Sequence, residues 1–146
     1  MLAHNLAGME DVAAAGIPLD RGLAGYLNAV ADAVGIPAEA TSFEISDTAT
    51  AYLGLPHRSR ERPARDLMLV WSEGHGWAVA VETAPGEPAA VIAHLASEHV
   101  APAPGVVARF VAEVIAGRGA GSAEPVFPTT TERDQLALHL ARYART

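Results

Sequence analysis

Two apolar runs, residues 67–72 and 77–83, flank the tetrapeptide Glu73-Gly74-His75-Gly76, and this pairing constrains the fold more than any other stretch of the chain. Glycines around a polar tip supply the positive φ values that tight hairpin loops need, so the two runs are predicted to be antiparallel neighbours. A loop of residues 74–76 sets Trp71 opposite Val79 and Leu69 opposite Val81, with Trp77 on the same side near Glu73. The other side carries Met68, Val70, Ala78 and Ala80. Strands apolar on both faces belong inside a sheet that is covered twice, by helices or by another subunit. Those four residues are therefore the candidate interface, and a homodimer is the expected assembly.

The elements around the hairpin follow from periodicity. Leu19, Leu23, Tyr26, Leu27, Val30 and Val34 recur at spacings of three and four, which predicts a helix that starts at Pro18-Leu19-Asp20, with Asp20 placed as its cap, and stops at Gly35. Over residues 42–55 the period changes to two: Phe43, Ile45, Ala49, Ala51, Leu53 and Leu55 face one way, and Glu44, Ser46, Thr48, Thr50 and Tyr52 the other. This is one long strand or two, and because Asp47 falls in the apolar register a bulge, bend or short turn is expected near Asp47-Thr48. A loop of residues 56–64 follows. After the hairpin, the turn at residues 84–88 leads to a strand over 89–95, and Pro104 opens a helix that Gly117 ends. A last helix begins near Thr130 or Thr131, gathers Leu136, His139, Leu140 and Tyr143 on one side, and either completes the domain or reaches across to a partner.

The predicted fold class is α+β: an antiparallel meander of about four strands with an N-terminal helix and two C-terminal helices, the first two helices lying on one face. In domain terms, residues 1–17 form an N-terminal extension, 18–117 the α+β core, 118–129 a linker rich in Gly, Ala, Ser and Pro, and 130–146 a C-terminal helix.

Composition removes whole classes of chemistry. The chain has no cysteine, which excludes disulfides, thiolate metal sites and thiol nucleophiles, and no lysine, which excludes Schiff-base catalysis and a Walker-type phosphate lysine. A formal net charge of -7 opposes general nucleic-acid binding, which is built from clustered cations. Neither a secretion signal nor an apolar run long enough for a membrane span is present, and the expected compartment is the cytoplasm.

Several short strings, in order, resemble an uncharacterised actinobacterial family, the domain of unknown function numbered 6292. They are Arg21-Gly22-Leu23 with Tyr26, the stretch Thr48 to Leu53 around Tyr52, Arg65-Asp66 leading to Trp71, Gly76-Trp77 with Ala80-Val81-Glu82, and Ala103-Pro104 before Val107-Ala108-Arg109-Phe110-Val111. The resemblance runs from Arg21 to Arg118 and implies no activity, substrate or catalytic set.

Positive charge is concentrated in one place, Arg58, Arg60, Arg62 and Arg65 beside His57, between Pro56 and the strand that ends at Trp71. Guanidinium forks donate paired hydrogen bonds to carboxylates and phosphates, so these arginines, closing over a polar floor that includes Tyr52 and Glu44, form the candidate ligand site for a small anion or nucleotide. Alternatively the cluster is a solvated loop. Other combinations carry less: His94, Glu98 and His99 are spaced one residue too widely for an inverted zinc-protease motif, Glu73, His75 and Glu82 lack a nucleophile with an oxyanion partner, and the glycines of residues 117–121 follow a helix where a dinucleotide loop must follow a strand. No catalytic residue, metal ligand or cofactor is assigned. The functional expectation is a self-associating, non-catalytic interaction or regulatory module, with small-anion binding as the alternative and a histidine–carboxylate enzyme third.

Overall fold

The computed structural model describes residues 18–59, 65–83, 87, 90–118, 124–127 and 133–144. The N-terminal extension 1–17, Arg60 and Arg62, and the expected start of the last helix at Thr130 or Thr131 lie outside the described residues.

Helix α1, Leu19–Val34, buries Leu23, Tyr26, Leu27, Val30 and Ala31 along the predicted stripe. It ends at Gly35, whose φ of 95° is a left-handed conformation natural to glycine, and the Gly35 and Ile36 amides both return to the Ala31 carbonyl. Its start differs from expectation. Pro18 is the boundary residue, and Asp20 lies inside the first turn, where its Oδ1 accepts from the Arg21 amide at 2.9 Å. A carboxylate there still complements the positive end of the helix dipole.

A short 3-10 turn, Ala38–Ala40, leads into five strands, β1 Thr41–Ile45, β2 Ala49–Arg58, β3 Asp66–Ser72, β4 Gly76–Val81 and β5 Ala90–His94, and then into helices α2, Pro104–Ile115, and α3, Arg133–Leu140. The sheet is an antiparallel meander in the order β1-β2-β3-β4-β5. It has one strand more than expected because residues 42–55 are divided. With Asp47 in the apolar register, the chain turns at residues 46–48 and pairs β2 back on β1, so that Phe43 meets Ala51 and Glu44 meets Thr50.

The central hairpin forms with a register two residues from the expected one: Trp71 pairs with Trp77, Leu69 with Val79 and Leu67 with Val81. The cause is Glu73, which belongs to the loop Glu73-Gly74-His75 and not to a strand. Its amide donates to the Ala49 carbonyl at 3.0 Å, and its buried carboxylate accepts from the Ala49 amide at 2.7 Å. Because side chains alternate with a period of two, an even slip leaves every residue on its predicted face.

All the described helices pack on one face of this sheet. Leu53, Leu69, Trp71, Trp77 and Val79 meet α1, Val107 and Val111 of α2, and Leu136 and Leu140 of α3 in a single core. Its few polar atoms are satisfied internally. The Trp77 indole donates to the Tyr26 hydroxyl at 3.1 Å, that hydroxyl donates to the Pro102 carbonyl, and the Trp71 indole donates to the Val100 carbonyl at 2.7 Å. Burial pushes the Tyr26 phenol well above its ordinary range, so it remains a donor. These bonds strap residues 95–103 across the end of the core.

The last helix completes the domain in its own chain. Following α3, the 3-10 turn Ala141–Tyr143 lies directly on α1, so close that a Cβ on Gly25 would stand 1.8 Å from the Tyr143 carbonyl oxygen. The Tyr143 ring packs against Tyr26 at a tilt of 58°, with centroids 5.0 Å apart. Among the described residues, no helix is long and apolar enough to cross a membrane.

Candidate functional site

The face of the sheet turned away from the helices is built in cross-strand rows. One runs Ser42, Tyr52, Val70, Ala78, His94; the next runs Gly54, Met68, Ala80, Val91. The four predicted interface residues therefore lie side by side at its centre. Met68, Ala78 and Ala80 are buried within this face and Val70 is half-buried, while Tyr52 and Val91 present the accessible apolar surface, Val91 being 45% exposed. No described helix covers these rows. Tyr52 lies along its own strand, with its hydroxyl 3.7 Å from where a Gly54 Cβ would be, so the ring shelters the glycine. Partial burial, then the Glu82 and Asp66 carboxylates, raise the Tyr52 phenol above its ordinary range and keep it protonated.

The arginine lid expected over Tyr52 and Glu44 is not formed by the described arginines. Glu44 pairs with Thr50, whereas Arg58 stands eight residues farther along β2, about 27 Å at the rise of a strand. Glu44, Thr50 and Tyr52 do share a shallow groove with Ser42, as their periodicity implies, but no described arginine lines it. Arg58 instead meets Asp66 on β3 at 3.9 Å, and the Ser59 amide donates to the Arg65 carbonyl at 2.9 Å, closing the β2–β3 connection. Arg65 is exposed.

At the end of β2 two adjoining cavities open. One, of about 400 Å³, is lined by His57, Arg58, Ser59, Leu67, Ile92, Val114 and Ile115. Its neighbour, about 360 Å³, shares His57 and Ile115 and runs between the C-terminal ends of α1 and α2.

At the opposite end, Glu73 is paired with Arg133 of α3, whose Nη2 also donates to the Ser46 and Asp47 carbonyls at 3.1 and 3.2 Å. One guanidinium thus joins the β1–β2 turn, the central hairpin and the last helix. A cavity of about 300 Å³ beside this pair is lined by Glu98, His99, Val100, Phe127 and Gln135. His99 stacks on His139 with ring centroids 4.1 Å apart, its Nδ1 accepts from the Ala101 amide, and His139 Nε2 bonds the Ala101 carbonyl at 3.1 Å. Burial, with smaller contributions from His99 and Arg142, lowers the His139 pKa from 6.5 against the raising effect of its bond to Ala101.

Glu73, His75 and Glu82 do not converge: Glu73 turns inward, His75 turns to the Pro125 carbonyl at 2.9 Å and to Glu124, and Glu82 follows the far end of β4. Among the described residues no group of three or more His, Cys, Asp or Glu is arranged to hold a metal ion.

A model of a family of unknown function, DUF6292, matches residues 26–113, well over half of the chain. The chain belongs to the DUF6292 family. No curated protein and no solved structure matches it. The matched DUF6292 region contains Tyr26, both tryptophans, Glu73 and the strap residues Val100 and Pro102, together with the whole sheet and most of α2. Arg133, His139 and Tyr143 lie beyond it. The sequence therefore marks the polar bonds of the core on the family's side, while the partner of Glu73 stands 60 residues away with no local signal.

Proposed function

We propose that this chain is a non-catalytic interaction module that self-associates, as a homodimer, through the sheet face that no described helix covers. The observation that carries the reading is the pair of rows whose accessible apolar residues, Tyr52, Val70 and Val91, surround the buried Met68, Ala78 and Ala80, with no described helix over them. Solvated sheet faces alternate toward polar residues, and a contiguous apolar one marks a contact surface. A two-fold axis between β3 and β4 sets Tyr52 of one copy against Val91 of the other, which makes the surface self-complementary. Tyr52 brings the large, rigid anchor that interfaces favour.

The non-catalytic part of the reading is supported by the commitment of the buried carboxylate: Glu73 is bound to Ala49 and Arg133. An actinobacterial source follows the resemblance of its strings, and a cytoplasmic setting suits a chain without cysteine. Light scattering across a concentration series tests the assembly. The wild-type chain is expected to be a dimer, more tightly associated at high salt because each copy carries a net charge of -7. Val91→Arg is expected to be a folded monomer. A wild-type monomer at every concentration, or a Val91→Arg dimer of unchanged affinity, would refute the reading.

A further inference from the structure

We infer that the cavity at the end of β2 binds a medium-chain organic carboxylate, tail inward and head at Arg58. This site is separate from the sheet face that no described helix covers and does not depend on self-association. Its apolar lining comes from three elements: Leu67 from the start of β3, Ile92 from the bulged edge strand β5, and Val114 with Ile115 from the last turn of α2. These are aliphatic side chains that offer a tail no hydrogen-bond partner and reward it only for leaving water. Among the described residues the polar lining is His57, Arg58 and Ser59, consecutive at the end of β2, with His57 and Arg58 exposed and Ser59 buried. A cavity of about 400 Å³ lined by four aliphatic side chains and three consecutive polar residues has the composition of a small-ligand site. The adjoining cavity between α1 and α2 extends the apolar space beyond His57 and Ile115, which suits an elongated tail.

The chemistry of the edge selects the head group. Arg58 already faces a carboxylate, that of Asp66 at 3.9 Å, and both side chains are largely exposed, at 71% and 60%. An ion pair so exposed contributes little, so a ligand carboxylate can take a share of the guanidinium without disrupting the fold. A compact dianion such as phosphate would set two charges near Asp66 and leave the aliphatic interior in water. The arginine cluster read from the sequence thus contributes at least one residue to an anion site, and the site's floor is aliphatic instead of the polar face around Glu44.

Calorimetric or NMR titration of the full chain with octanoate, octanol, acetate and inorganic phosphate tests the inference. Octanoate is expected to bind at least about tenfold more tightly than octanol or acetate, the effect of one charge-assisted hydrogen bond added to tail burial. Arg58→Gln should bring octanoate to the level of octanol and leave octanol unchanged, and Ile92→Asn, at an exposed position, should weaken both. Octanoate binding no tighter than octanol, tighter binding of phosphate, an Arg58→Gln variant that binds octanoate as wild type does, or no binding of any probe would overturn it.

Discussion

The two faces of this sheet are built from the same five strands and differ in the size of what they carry. Toward the helices, the hairpin offers Trp71, Trp77, Leu69 and Val79; away from them, the same strands offer Val70, Met68, Ala78 and Ala80. Both sets are apolar, but large side chains bury far more area and form a core under helices, whereas alanines present little area even to a close partner. Hydrophobic patterning therefore identifies the two faces without ranking them. A second difference is polar: the covered face ends in bonds from Trp71, Trp77 and Tyr26 that fasten the strap of residues 95–103.

The contrast can be broken most severely at Trp77. Trp77→Ala is expected to lower unfolding free energy by about 3–5 kcal/mol, through a cavity beside Trp71 and a Tyr26 hydroxyl without its donor, read by urea denaturation. Next is Glu73→Ala, expected to cost about 2–3 kcal/mol because the Ala49 amide is left buried without an acceptor, while Arg133, one-third exposed, regains water. Hydrogen exchange in that variant should rise at the β1–β2 turn and in α3 together, since one guanidinium joins them.

Smaller again is a pH effect at the strap. His139 has its pKa lowered by folding, so protonation favours the unfolded chain: its contribution is complete above the unfolded value of 6.5 and is lost as pH falls through and below it. Urea midpoints compared across that range should fall toward acid, and His139→Gln should flatten the dependence. The smallest effect on stability is expected on the face without a described helix, where Val91→Arg should stay within about 0.5 kcal/mol of wild type while abolishing the dimer. A large loss of stability from that variant would show that the two faces are less different than their side chains imply.

Much of the fold is legible in the chain before any contact is known. The stripe of α1, the stop at Gly35, the break near Asp47 and the in-or-out assignment of the hairpin residues all rest on spacings of a few residues, and local periodicity expresses them directly. The strand count was short by one because a misplaced Asp47 signals a bulge and a turn equally well. The candidate site was less legible. Arg58 is conspicuous, but its setting among Leu67, Ile92 and Val114 joins three distant elements, whereas periodicity suggests for the arginine cluster a polar floor around Tyr52 and Glu44.

Local order along the chain fixes which side of each element faces the core, because a side chain's direction follows from its position in a helix or strand. Tertiary structure sets the hairpin register, the pairing of Glu73 with Arg133, the close seat of Tyr143 on Gly25 and the distance of Arg58 from Glu44. Those contacts depend on how the meander folds back and where the last helix comes to rest, and the composition of the contacting segments alone does not encode a pairing between residues so far apart along the chain.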